Sequence, residues 1–241
     1  MKLNCDLGES YGSWTMGMDE QVMPFIDQAN IATGFHAGDP LIMQCTLALA
    51  KTHGVTVGAH PAYPDLVGFG RRSMKLSSDE LLATLHYQIA AIDGMARSQD
   101  LDLAYVKPHG ALYNDMMANA EVRATVMAAI SQYHRPLVFM MQATAATEQH
   151  RQEAAAAGIE VWFEAFADRC YDDDGKLLAR SKPGAVHNRE KMLAQVSQLI
   201  QHGTLTTVSG KQLPIAADTL CVHGDNAEGV EAIREIRALI S

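Results

Sequence analysis

Short apolar runs alternate along the chain with longer segments in which apolar residues recur with helical spacing, the pattern of strands and helices in turn. The strand-like runs are 2–6, 29–35, 56–60, 103–107, 137–141, 159–166, 205–209 and 219–223. Helical runs fall between them at 39–53, 78–97, 120–134, 144–157, 189–202 and 227–239. Punctuation agrees with this reading. Ser77, Ser78, Asp79 and Glu80 resemble a helix start, and His53-Gly54 and His202-Gly203 resemble helix ends. The segment 204–215, with Gly210-Lys211 at its centre, reads alternatively as a hairpin. Repeated strand-then-helix units predict an α/β fold with a parallel sheet and right-handed crossovers, either open or closed into a barrel. No repeat, low-complexity tract or linker interrupts the pattern, so residues 1–241 are expected to form a single domain.

Polar or glycine-rich clusters follow most strands: Asn4 to Glu9, Asn30 to Pro40, Gly58 to Pro61, Lys107 to Asn114, Glu164 to Arg169 and His223 to Asn226. In a barrel all such loops open onto one face, whereas in an open sheet only those at the switch point meet. Chemistry after so many strands favours an eight-fold or incomplete (β/α) barrel.

Among the ten histidines, His36, His60, His109 and His223 each follow an apolar strand and have Gly, Ala or Pro beside them, which leaves room for a ligand. His53 and His202 read as helix-end residues, and His86, His134, His150 and His187 as helix surface or boundary residues. Asp6 ends the first strand, with Glu9 three residues on. Asp39 has an ordinary explanation as a helix cap before Pro40. Lys107 is expected to point into the mouth, where it polarises a carbonyl or pairs with Asp6. The loop around Gly68-Phe69-Gly70-Arg71-Arg72 carries two cations suited to an anionic carboxylate.

Composition narrows the field of partners. A formal charge of −9 argues against nucleic acid and anionic membranes, because phosphate binding needs clustered Lys and Arg. No apolar run approaches the roughly 20 residues of a membrane helix, and the first residues do not form a signal peptide, so the cytoplasm is expected. Cys5, Cys45, Cys170 and Cys221 show neither metal-type pairing nor disulfide density, and are expected to be reduced and mostly buried. There is no phosphate loop, dinucleotide fingerprint, nucleophile elbow or HExxH helix.

Seven ordered motifs, NCDLGE at 4–9, ANIATGFHAGDP at 29–40, GAHPAYPD at 58–65, GFGRR at 68–72, VKPHGALYN at 106–114, FADRCY at 166–171 and VHGDN at 222–226, resemble the LamB/YcsF family from the first strand to the last helix. The resemblance implies an irregular, seven-stranded barrel like that of the glycoside hydrolase/deacetylase group. It also implies the part of the A subunit in an ATP-dependent 5-oxoprolinase, which opens the lactam of 5-oxo-L-proline to L-glutamate together with subunits B and C. ATP is then a co-substrate of the complex, in keeping with the missing nucleotide motifs.

On that reading Asp6, with His36 or His60, activates water, and Lys107 and His109 stabilise charge on oxygen. Arg71 or Arg72 holds the substrate carboxylate, and Glu9, Asn114, His223 and Asp225 are further substrate-binding candidates. The alternative is a metal-dependent carbohydrate deacetylase-like hydrolase, in which Asp6, His36 and His60 would ligate a divalent ion. Its HxxxH helix pair is absent here, since no His stands four residues after His36.

Overall fold

The computed structural model describes residues 1–180, 182–224 and 227–240. In chain order the elements are β1 (Lys2–Leu7), α1 (Asp19–Val22) with a 3-10 turn (Met23–Phe25), β2 (Gln28–Ala32), α2 (Pro40–His53), β3 (Thr56–His60), α3 (Ser78–Arg97), β4 (Leu103–Val106), α4 (Gly110–Ala118) and α5 (Ala120–Ser131). They continue with β5 (Val138–Gln142), α6 (Thr147–Ala156), β6 (Val161–Phe166), α7 (Arg189–His202), β7 (Thr204–Thr206), β8 (Gln212–Pro214), β9 (Thr219–Val222) and α8 (Ala227–Ile240).

Seven parallel strands close in the order β1-β2-β3-β4-β5-β6-β9, with β9 pairing back onto β1. The barrel is therefore seven-stranded. The segment after α7 takes the hairpin form instead: β7 and β8 pair antiparallel outside the barrel, and β6 pairs directly with β9. The strand expected over 29–35 stops at Ala32, where Gly34 turns the chain at φ 92° and its N–H donates to the Ala37 carbonyl.

Local chemistry sets the helix boundaries. Asp39 caps α2 by accepting from the Leu41 and Ile42 N–H groups at 2.9 and 3.0 Å, and Gly54 ends it in the left-handed region. Ser77 and Glu80 form a reciprocal capping box on α3. Asn188 caps α7, and Gly203 closes it. Among the described residues no helix is long and apolar enough to cross a membrane.

Side chains alternate across the strands, and the two faces differ in kind. Leu3, Cys5 and Leu7, Ala29 and Ile31, Val57 and Ala59, and Phe163 and Ala165 are buried in the apolar core with Leu47, Leu85, Ile89 and Ile92 of α2 and α3. The intervening positions, Asn4, Asp6, Gln28, Asn30 and Thr219, are polar and point into the barrel. Some of their bonds reach between strands that are not neighbours: the Tyr105 hydroxyl on β4 donates to Asn30 Oδ1 on β2 at 2.7 Å. Asn4 donates to Thr219 Oγ1 at 3.1 Å, and Thr219 donates to Gln28 Oε1 at 2.7 Å. A buried polar interior of this kind is stable only when its groups satisfy one another.

Gly58 on β3 makes room for the buried Tyr105 ring, which a Cβ there would overlap. Gly58→Ala is expected to destabilise the fold by about 1–3 kcal/mol through overpacking, read as a lowered midpoint in urea or thermal unfolding. An unchanged midpoint would contradict this packing of Tyr105.

Candidate active site

At the C-terminal end of the barrel, β1 delivers Asp6, β4 leads into Lys107, and β6 carries Glu164. Lys107 is 2 % exposed. Its Nζ lies 3.1 Å from Asp6 Oδ1, 3.0 Å from Glu164 Oε2, 3.1 Å from Asn4 Oδ1 and 3.2 Å from Cys221 Sγ. Asn30 Nδ2 donates to Asp6 Oδ1 at 2.8 Å, and the Tyr113 hydroxyl donates to Glu164 Oε1 at 2.7 Å. Burial alone would release the lysine proton, but Asp6, Cys221 and Glu164 raise Lys107 well above its ordinary value, so it is an ammonium. Burial would likewise raise Asp6, yet the charges of His60 and Lys107 and bonds to His223 and His60 hold its carboxyl well below the usual range.

His223 completes this charged half. Its Nδ1–H donates to Asp168 Oδ2 at 2.9 Å, and Nε2 lies 3.7 Å from Asp6 Oδ2. Burial opposes the charge, but Asp168 and Asp6 raise the imidazole to about 10. It is a cation at neutral pH.

The other half of the mouth is made of imidazoles. His60 Nδ1–H donates to the Lys107 carbonyl at 2.7 Å, and His109 Nε2–H donates to the Phe69 carbonyl at 2.9 Å. Their remaining nitrogens, His60 Nε2 and His109 Nδ1, face each other at 3.0 Å. His36 stacks on His109 with ring centroids 3.7 Å apart, and its Nε2 lies 3.1 Å from Glu9 Oε1. Burial holds His36 and His109 well below the ordinary histidine value, assisted by the charge of His60 on both. Burial also raises Glu9, against the charge of His109.

Glycines let the loop of residues 68–72 lie across these rings. Gly70, at φ 63°, sits where a Cβ would come within 2.8 Å of His36 and His109. Gly110, at φ 56°, has the Gly70 carbonyl 2.6 Å from its own would-be Cβ, and Ala111 N–H donates to that carbonyl at 2.8 Å. This docking pins the strap to the start of α4, a helix the periodicity does not reveal. The strap carries Phe69 and, over its ring, the Arg71 guanidinium.

Above the cluster opens a cavity of about 630 Å³, within the usual range of small-molecule sites. Asp6, Glu9, His60, Arg71, Lys107, His109, Asn114 and His223 all line it. His36 is fully buried behind His109 and does not line it. Arg72 is corrected to a structural residue: its guanidinium is engaged by Asp65 within the same loop, and it does not line the cavity. Asp225 lies outside the described residues. Of Asp6, His36 and His60, the first and last meet, with His60 Nε2 3.3 Å from Asp6 Oδ2, while His36 turns to Glu9, so the three do not form one set.

Several site residues escape sequence reasoning. Glu164 and Asp168 stand in a cluster that the sequence marks, yet their pairing with Lys107 and His223 needs barrel closure. His150, read as a helix surface residue, is 4 % exposed, lines the cavity from α6 and leaves Nδ1 without a partner. Burial of Ala154 four residues on marks the same inward face. Arg169 and Arg180 also line the cavity. All four cysteines are free, and only Cys45 is exposed.

A LamB/YcsF family model matches residues 1–241. The chain is 54% identical over 241 residues to the A subunit of 5-oxoprolinase from Pseudomonas fluorescens (strain Pf0-1), covering 99% of this chain and 96% of that protein. It is 49% identical over 241 residues to the A subunit of 5-oxoprolinase from Vibrio cholerae serotype O1 (strain M66-2), covering 100% and 97%. Among solved structures, a lactam utilization protein from Thermus thermophilus superposes with a TM-score of 0.90 at 37% identity, covering 100% of this chain and 96% of that one.

The His223 pair predicts a pH effect on stability. Because its folded value is raised, its contribution is complete below the unfolded value near 6.5 and is lost as pH rises through about 10. Urea midpoints measured across pH 6 to 10.5 should fall more steeply in the wild type than in His223→Gln. Parallel curves would contradict the Asp168–His223–Asp6 arrangement.

Proposed function

Because this chain belongs to the LamB/YcsF family, we propose that it is the A subunit of an ATP-dependent 5-oxoprolinase, opening 5-oxo-L-proline to L-glutamate with ADP and phosphate release in a complex with subunits B and C. The names of its relatives support a hydrolase role within a multi-subunit assembly. The observation that carries the reading is the divided mouth: fixed cations, Lys107 and His223, stand beside buried neutral bases around a cavity sized for a small molecule.

A lactam is a stable amide, and phosphorylation of its oxygen turns the ring carbon into a good electrophile. ATP supplies that phosphoryl group, handled by a companion protein of the complex, in keeping with a chain that lacks nucleotide motifs. Water then adds to the ring carbon, the C–N bond breaks with proton transfer to nitrogen, and an acyl phosphate remains. A second water releases phosphate, so lactam, ATP and two waters give glutamate, ADP and phosphate.

Within this scheme Lys107 and His223 face the oxygens on which negative charge grows. Asp6 is held ionised by both cations, which makes it a weak base, so its work is to hold Lys107 and His223 in place. Water activation falls to the corner of Glu9 and His109, beside His60, where the depressed basicity of His109 and the raised carboxyl of Glu9 bring their proton affinities closer together. Arg71 holds the substrate carboxylate from the strap, beside Asn114.

In the assembly reconstituted from all three subunits, His109→Ala and Asp6→Asn should each lower kcat by at least about 100-fold, while Arg71→Ala should chiefly raise KM for 5-oxo-L-proline. Full activity in both His109→Ala and Asp6→Asn would overturn the assignment.

A further inference from the structure

We propose that Glu9, His36, His60 and His109 form a binding site for one first-row divalent transition-metal cation, of which zinc is the representative. One ligand atom from each residue lies within 4.8 Å of the other three. His60 Nε2 and His109 Nδ1 are 3.0 Å apart, His36 Nε2 and Glu9 Oε1 are 3.1 Å apart, and Glu9 Oε1 and His109 Nδ1 are 3.6 Å apart. Two ligand atoms bound tetrahedrally at zinc distances are separated by about 3.3 Å, so these spacings bracket what such an ion requires.

The outer shell points the same way. His60 and His109 each commit the far ring nitrogen to a backbone carbonyl, those of Lys107 and Phe69. That arrangement turns His60 Nε2 and His109 Nδ1 toward the cluster, as around ligating histidines generally; His60 Nε2, protonated in its 3.3 Å contact with Asp6 Oδ2, would release that proton as an ion enters. Opposed lone pairs at 3.0 Å repel unless a cation or a proton lies between them. The Gly70 strap packs against both His36 and His109, and their face-to-face stack would have to slip for both rings to meet one ion in their own planes.

Three imidazoles and one carboxylate, with no thiolate, suit zinc and its neighbours better than magnesium or calcium, which prefer all-oxygen shells. Glu9, His60 and His109 line the cavity, so an ion has an entry path and a side open to water. A second group, Asp6, Cys221 and His223, also brings ligand atoms together. There, however, the Lys107 ammonium already lies 3.1 Å from Asp6 and 3.2 Å from Cys221, and it repels a dication. The ion would supply Lewis-acid polarisation at the corner where water is activated. The binding itself requires neither lactam nor partner subunits, so its failure and that of the proposed function appear in different experiments.

The test is calorimetric titration of the chelator-treated full chain, alone, with zinc chloride, and with cobalt chloride followed by its visible absorption. The expected result is one equivalent of zinc or cobalt bound, with no magnesium binding at the same concentrations. His36→Asn and Glu9→Gln, checked for native circular dichroism, should weaken zinc by more than the about 10- to 100-fold that loss of an outer-shell partner costs. Asp6→Asn should stay within about 100-fold of the wild type, since it acts at most from the outer shell. Absence of zinc and cobalt binding by the wild type overturns the proposal whether or not the variants fold. So does undiminished binding in both Glu9→Gln and His36→Asn, or its loss in Asp6→Asn while they retain it.

Discussion

Lys107 carries its ammonium into the top of the barrel, where burial of a lone charge would cost more than a typical fold's whole net stability. Two carboxylates, an amide oxygen and a thiol answer it, and each is held by another strand. Breaking such a buried pair from one side typically costs about 3–5 kcal/mol, because the remaining charge is stranded. The polar barrel interior follows from this constraint. Asn30 steadies Asp6, Tyr105 steadies Asn30, and Tyr113 steadies Glu164, so the charges in the mouth rest on a network that runs down the barrel.

The same constraint divides the mouth. On one side Lys107, Asp6, His223 and Asp168 neutralise one another and keep their charges over a wide pH range. On the other, His36, His109 and Glu9 are buried without such compensation, and burial drives each toward its neutral form. Neighbouring groups whose environments push their proton affinities apart can serve as fixed electrostatic partners and as movable bases within one site. The glycine strap keeps the two halves under one roof, with Arg71 on its outer edge.

Much of this arrangement is legible along the chain. Helix caps at Asp39 and Ser77 and glycine stops at Gly54 and Gly203 are local events, and they stand where the residues place them. The four strand-end histidines are recognisable because each follows an apolar run into small residues. What stays hidden depends on contacts distant in sequence. Lys107 and Glu164 meet only when the barrel closes, and Arg72 looks like its neighbour Arg71 until the loop folds Asp65 against it. His150 is concealed by a polar helix whose buried stripe is too short to read, and α4 by the motif that opens it.

The proposed division of labour, in which this mouth opens the lactam while ATP is handled elsewhere in the assembly, makes each part dependent on the others. The most direct test follows glutamate formed from 5-oxo-L-proline by this chain alone and mixed with candidate subunits B and C, each with and without ATP. Glutamate is expected only in the full mixture with ATP, with ADP appearing in step. Glutamate formed by the chain alone without ATP would contradict this division of labour.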